Sequence, residues 1–172
     1  MRKILWLLLA LAVFTLLWRV LPHPFNMTPL AALALFAGAR ARDPRLRFGI
    51  PMLALLFSDL LLGFHATIPF VYGAMLLIVL IGTLLRDRGY AFFALGSVAG
   101  SLTFYLVTNF GVWLVAGYYS PDLTGLLASY VAGLPFLLKT LAGDLIFVSL
   151  FFTLFALVDR SAQASDDRRK VG

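Results

Sequence analysis

Asp59, Lys139 and Asp144 are ionisable residues that lie within long apolar stretches of this sequence. A charged side chain in such a stretch costs about 2.5–3.5 kcal/mol on membrane-insertion scales, so it typically belongs to a binding site, a proton site or an ion pair. We expect Lys139 to pair with Asp59, although a lysine near a helix end can also extend towards the membrane surface. Asp144 follows Thr140 by one helical turn and is predicted to bind a proton or to have a structural role.

Further polar and aromatic residues could complete a binding site for a small molecule. Histidine, asparagine and tyrosine can form hydrogen bonds with a solute, and tryptophan can stack on a flat one. Each has an alternative role: His23 stands between two prolines in a rigid loop, Asn109 could join two helices, and Trp113 could lie in an interfacial belt. The predicted solute-binding residues are His23, Asn26, Asp59, His65, Tyr72, Asn109, Trp113 and Lys139.

The sequence lacks the common catalytic motifs. It has no cysteine and no glutamate, and therefore no His-Glu-x-x-His zinc motif. It also lacks a Gly-x-Ser-x-Gly nucleophile motif and the glycine-rich loop ending in Gly-Lys-Ser/Thr that many ATPases use. The two histidines lie in separate loops, which is a weak pattern for a metal site. We therefore predict no enzyme activity, no cofactor and no metal.

The composition is that of a membrane protein. Hydrophobic residues make up 62% of the 172 residues and charged residues 13%, whereas soluble domains are about half apolar and about a quarter charged. The net charge of +6 would suggest acidic partners in a soluble protein. Here the basic residues flank the apolar stretches, so their distribution is explained by membrane topology and we predict no binding to nucleic acid.

The basic residues also predict the orientation. Twelve of the 14 Lys and Arg residues fall into four groups, within 2–3, 40–47, 86–88 and 160–170. The segments between apolar stretches alternate between basic and nearly uncharged, which is the positive-inside pattern of a chain with an even number of crossings. We therefore expect a multi-pass protein of the bacterial cytoplasmic (inner) membrane with both termini in the cytoplasm.

Apolar periodicity and loop residues predict a single domain over 1–158, an all-α bundle of six transmembrane helices. The segment 126–134 is expected to lie in the interface or to re-enter the membrane, and 159–172 to be a disordered polar cytoplasmic tail. The first helix resembles a signal peptide, but no small-x-small cleavage site follows it, so we expect it to be retained. The predicted helices span 4–21, 29–40, 48–62, 69–85, 90–116 and 135–158.

With this topology, nearly all of the predicted binding residues fall in the outer loops or the outer ends of the helices. Depth follows from the rise of about 1.5 Å per residue. Asp59 and Lys139 are each about one turn from the outer end of their helices, and Asp144 lies nearer the middle. The sequence therefore predicts a cup that opens to the outside and is covered by three loops.

The sequence contains several distinctive short motifs, which include Pro22-His23-Pro24, Ser58-Asp59, Gly63-Phe64-His65, the segment 108–113 and Gly143-Asp144. Together, over residues 19–150, they resemble the DUF6580 family of uncharacterised bacterial integral membrane proteins. Phe25 and Lys139 depart from the expected pattern. The six-helix plan is also similar to the S components of energy-coupling-factor vitamin transporters, although the first helix lacks their Ala-x-x-x-Ala seam.

The resemblance to S components implies a function in solute uptake. We expect the chain to capture a small vitamin-like solute from outside and to move it inward, with membrane lipid around it. A transmembrane coupling subunit with ATPases would supply the energy. Two alternatives remain open: a structural or scaffold membrane protein that binds no ligand, and a proton-coupled carrier that uses Asp59 and Asp144.

Overall fold

The structure is a computed structural model that describes residues 2–24, 26–86 and 88–171, with side chains for 3–24, 26–86 and 88–160. Six α-helices make up most of the described chain, so the predicted all-α class is confirmed. Their bounds are α1 Arg2–Val20, α2 Leu30–Arg40, α3 Pro44–Leu62, α4 Ile68–Leu84, α5 Tyr90–Val115 and α6 Leu123–Val171.

Three of the described helices are long and apolar enough to cross a membrane, over Lys3–Val20, Tyr90–Val115 and Leu123–Arg160. The helices α2 and α4 are apolar but shorter. The helix α3 has 19 residues and carries Arg45, Arg47 and Asp59. These lengths and compositions are those of a helical membrane protein.

The short helix α2 is the centre of the bundle. Ten of its 11 residues are buried, and it contacts each of the other five helices. A helix of this length that is apolar on all sides up to Arg40 is stable here because neighbouring helices, and not lipid, surround it. The N-terminal and C-terminal ends of α2 therefore lie in the interior of the bundle, one towards each end of it.

Glycines bring α2 and α4 into backbone contact. A β-carbon added at Gly38 would collide with the carbonyl oxygen of Val79, and one added at Gly82 would collide with that of Leu35. Such close approach is typical of small residues at the interfaces of membrane helices. The Ala34-x-x-x-Gly38 spacing predicts that α2 packs closely against another helix. Gly38 forms this contact with α4.

Side-chain caps set the starts of α3 and α6, and both helices begin earlier than the sequence predicted. The Asp43 carboxylate accepts the backbone N–H of Arg45 at 2.9 Å, and Pro44 fits the first turn of α3. The Asp122 carboxylate accepts the N–H of Gly125 at 2.7 Å, the usual N-cap arrangement. The helix α6 then continues through Pro135, so the predicted helix start at this proline is wrong.

Arginines hold the C-terminal end of α2. The side chains of Arg47 and Arg86 both donate to the carbonyl oxygen of Ala41, at 3.1 and 2.8 Å. The Arg40 guanidinium lies 4.6 Å from the centre of the Phe155 ring and also faces Phe93 and Phe152. Cations at this position complement the negative end of the α2 dipole, so part of the basic charge here serves the fold.

Candidate functional site

A buried ion pair joins α1 to α3. The Arg19 guanidinium donates to Asp59 at 3.0 Å between Nη2 and Oδ1, and the two side chains are 16% and 4% exposed. The second nitrogen of Arg19 and the second oxygen of Asp59 are buried without a hydrogen-bond partner among the described residues. The Tyr72 hydroxyl of α4 is also buried and neighbours Asp59, with which it interacts through charge and as a hydrogen-bonding group, but no hydrogen bond of normal length satisfies it in the described part of the chain. Three helices thus place polar atoms with spare bonding capacity at one point.

The expected pair between Asp59 and Lys139 does not form, and that prediction was wrong. Lys139 is exposed on the outside of α6, whereas Arg19 approaches Asp59 from the neighbouring helix α1. Arg19 lies in the last turn of α1, whereas Lys139 lies well inside α6. The face of the helix on which each cation stands determines which of them reaches Asp59. A lysine on an outer face can extend along the bundle surface.

A central cavity of about 220 Å³ lies at the N-terminal end of α2. Its wall combines apolar side chains from α2, α4 and α5 with polar side chains from α1, α6 and two loops. His65 is exposed at its rim, where its ring nitrogen Nδ1 lies 2.8 Å from the Thr67 hydroxyl. The polar residues of the wall are Arg19, Asn26, Thr28, His65, Thr140 and Asp144.

The loop between α1 and α2 enters the bundle and forms part of this wall. The Trp18 indole donates to the carbonyl oxygen of Met27 at 2.8 Å. Asn26 adopts a positive φ of 61°, a conformation that asparagine tolerates better than most residues. Met27 packs directly against Gly143 of α6, where an added β-carbon would lie 3.2 Å from the Met27 α-carbon. The loop is thereby held over the start of α2.

Asp144 occupies the deepest part of the polar wall and is 3% exposed. The Ser101 hydroxyl of α5 lies 2.6 Å from its Oδ2 atom. The same hydroxyl lies 3.0 Å from the carbonyl oxygen of Ser97. Asp144 therefore connects α6 to α5 and faces the central cavity.

A second cavity of about 190 Å³ lies between α5 and α6. Asn26, Phe104 and Thr140 line both cavities and separate them. Asn109 lines only the second cavity, where its side-chain amide donates to the carbonyl oxygen of Tyr105 at 2.8 Å. Gly133 allows α6 to pass close to Asn109, because an added β-carbon would lie 2.5 Å from the amide oxygen.

The predicted binding residues are therefore only partly brought together. Asn26 and His65 line the central cavity, and Tyr72 lies beside the ion pair that borders it. His23 is half-buried, with ring nitrogen Nδ1 2.8 Å from the Leu21 carbonyl oxygen, and it lines neither cavity. Trp113 likewise lies outside both, and its indole donates to Ser120 at 3.0 Å. In residues 2–24, 26–86 and 88–171 no three potential metal ligands converge.

Two residues of this site, Arg19 and Ser101, are not among those predicted from the sequence. Arg19 and Lys139 are the two Lys or Arg residues that lie outside the four basic groups. This isolated position could have indicated that Arg19 pairs with an acidic residue instead of flanking the membrane. Ser101 had no such sign, because a serine in an apolar helix most often bonds to its own backbone. Its role depends on the approach of α6, which the sequence does not reveal.

The fold and the site define a helical membrane protein with a polar cavity inside the bundle. The chain belongs to DUF6580, a family of unknown function, which matches residues 1–165. The family resemblance predicted from the motifs is thus confirmed. No curated protein and no solved structure matches the chain.

Proposed function

We propose that this protein crosses the bacterial cytoplasmic membrane six times, with both termini inside, and binds a small solute from outside for uptake. The positive-inside pattern supports this orientation. It puts the basic segment 40–47 in the cytoplasm and the loops that border the central cavity on the outer side. The solute would then reach the cavity past His65 without crossing the membrane.

The central cavity is the observation that carries the proposal. Binding sites for small molecules are mostly apolar concave spaces with a few polar groups that orient the ligand. Leu30, Val71 and Met75 supply an apolar wall, while Arg19 and Asp144 supply polar groups. A space that served packing alone would not need a half-buried arginine and a buried aspartate on its wall.

The volume limits the size of the solute. A cavity of about 150 Å³ holds one benzene molecule, and most drug-sized ligands occupy about 300–1,000 Å³. The central cavity, at about 220 Å³, suits a solute with a single ring or a similarly small polar body. A single-ring vitamin has this size, whereas a macrocyclic cofactor would need a much larger space.

Uptake would require an energy source outside this sequence. The chain has no Gly-Lys-Ser/Thr phosphate loop, and a binding site by itself does not move a solute against a gradient. A coupling subunit with ATPases, as the similarity to S components implies, would supply the energy. The alternative is an ion gradient acting on a titratable group in the bundle.

Mass spectrometry of small molecules retained by gently solubilised protein tests the proposal. Val71→Phe adds a ring to the wall of the central cavity and should reduce the retained solute at least tenfold. Val131→Phe makes the same change on α6, where Val131 is 65% exposed, and serves as the matched control. Both variants should elute as the wild type does in size-exclusion chromatography.

The two outcomes separate solute binding from a scaffold role. A molecule retained by the wild type and by Val131→Phe, but lost from Val71→Phe, supports solute capture and identifies the solute. A folded wild type that retains nothing, at every detergent and lipid condition tried, contradicts the proposal and favours a membrane scaffold that needs no ligand.

A further inference from the structure

The two buried aspartates of the bundle differ in charge compensation. Asp59 is paired with Arg19 at 3.0 Å. Asp144 is equally buried, at 3% exposure, but no basic side chain forms a salt bridge with it in the described part of the chain. An ionised carboxylate in this setting would be a buried charge without a counter-ion, which is strongly unfavourable. A neutral, protonated carboxyl group avoids this penalty.

The surroundings of Asp144 contain few titratable groups. The walls that it shares include Arg19 from α1 and His65 from the loop before α4. Among the residues whose side chains the structure describes, these walls contain no other titratable side chain from α2, α4, α5, the loop between α1 and α2, or α6. The charge of Arg19 is already balanced by Asp59, and His65 is exposed at the rim. Neither group compensates Asp144.

The hydrogen bonds of Ser101 point to the same protonation state. Its hydroxyl has one proton and lies within bonding distance of two acceptors, the Ser97 carbonyl oxygen at 3.0 Å and Asp144 at 2.6 Å. A serine hydroxyl can donate to only one acceptor at a time. Two full two-centre hydrogen bonds form at once only if Asp144 donates its own proton to Ser101 while Ser101 donates to Ser97; an ionised Asp144 would have to share the single Ser101 proton with the Ser97 carbonyl.

We propose that Asp144 and Ser101 form a proton-binding site in the wall of the central cavity. Protonation adds one proton to the carboxylate, which then donates to the Ser101 hydroxyl. When Asp144 releases its proton, the Ser101 hydroxyl rotates away from the Ser97 carbonyl oxygen and donates to the Asp144 carboxylate. The Ser97 carbonyl keeps the backbone bond that a helix gives it, so the exchange leaves the helix α5 intact.

This site is independent of the proposed solute. It needs only the carboxyl group, the hydroxyl group and access from the cavity. If a solute occupies the cavity, the charge change of Asp144 would alter the electrostatic potential beside it. The proton site would then offer a way for a proton gradient to act on solute binding.

Infrared spectroscopy of the full chain in lipid nanodiscs tests the proton site. The sequence has no glutamate and only eight acidic residues, so the carbonyl stretch of a protonated side-chain carboxyl group must come from an aspartate. The wild type should show this band at neutral pH and lose it as the pH is raised. Asp144→Asn should abolish the band, whereas Asp122→Asn, which changes an exposed aspartate, should leave it unchanged.

Ser101→Ala supplies a second test that does not depend on the folding of Asp144→Asn. Removal of the 2.6 Å contact should move the band to higher frequency, because the acid loses its acceptor, while Ser97→Ala should leave it nearly in place. A wild type without a protonated carboxyl band at neutral pH overturns the proposal. A band that persists unchanged in folded Asp144→Asn overturns it as well.

Discussion

Removal of the charge on Asp59 should destabilise the protein strongly. Asp59→Asn keeps the shape of the side chain but leaves the Arg19 guanidinium, which is 16% exposed, without its counter-ion. Removing one partner of a buried ion pair costs about 3–5 kcal/mol. Because Arg19 keeps some contact with the cavity, we expect the lower end, a loss of about 3 kcal/mol in the free energy of unfolding.

Asp144→Asn is the matched comparison, since it makes the same chemical change at an equally buried aspartate. Asp144 forms no salt bridge among the described residues, so its replacement leaves no cation unpaired. The side-chain amide of the new asparagine can still form a hydrogen bond with the Ser101 hydroxyl. We therefore expect a loss below about 1 kcal/mol, the size of one ordinary hydrogen bond. Reversible unfolding in mixed micelles, followed by circular dichroism, measures both variants under identical conditions.

A double-mutant cycle separates the ion pair from other effects of the substitution. Arg19→Met combined with Asp59→Asn removes both charges, so the pair should cost less than the two single variants added together. We expect a coupling energy of about 2 kcal/mol, within the range of about 0.5–3 kcal/mol for residues in contact. Additive losses, or equal losses for Asp59→Asn and Asp144→Asn, would refute the reasoning.

Three further predictions concern packing, pH and the loop over the cavity. Gly38→Ala forces a methyl group against the backbone of α4 and should lower the free energy of unfolding by about 1–3 kcal/mol or more, as measured by the same unfolding assay. The Gly125 N–H, and then the Ser120 hydroxyl, lower the pKa of Asp122. Its cap is therefore present at neutral pH and is lost as the pH falls through that lowered pKa. Protection of the Gly125 amide, measured as its exchange rate relative to the intrinsic rate at each pH, should fall there in the wild type but not in Asp122→Asn. Trp18→Phe removes the indole donor and should cost about 1 kcal/mol, with faster amide exchange confined to residues 26–28.

Much of the fold could be predicted because apolar length and loop residues determine the helices. The positions of all six helices follow from these patterns. The starts of α3 and α6 were predicted too late, since Asp43 and Asp122 cap helices that begin before the apolar run. The sequence predicts a helix start at Pro135, but Pro135 lies inside α6; proline leaves one carbonyl oxygen of the preceding turn without its helical partner, and membrane helices tolerate such prolines.

The candidate site was predicted only in part. The sequence indicates how far along its helix a residue lies, but not which neighbouring helix its side chain faces. Asp59 and Asp144 stood out as charges in apolar stretches, and both are buried near the central cavity. Their partners, Arg19 and Ser101, come from other helices. Which face of α1 meets α3, and which face of α5 meets α6, depends on packing across the whole bundle. Lys139 has a suitable depth but stands on the outer face of α6.

Thiol labelling in intact cells most directly tests whether the central cavity opens to the outside. The natural chain has no cysteine, so each single substitution adds the only thiol. A membrane-impermeant maleimide should label Thr140→Cys in the cavity and Ala66→Cys in the loop beside it. Gly89→Cys, at the opposite end of the bundle, should react only after permeabilisation, and Leu150→Cys on the outer surface of α6 should stay unlabelled in both conditions. Labelling of Thr140→Cys from the cytoplasmic side alone would contradict an outward-facing solute cavity.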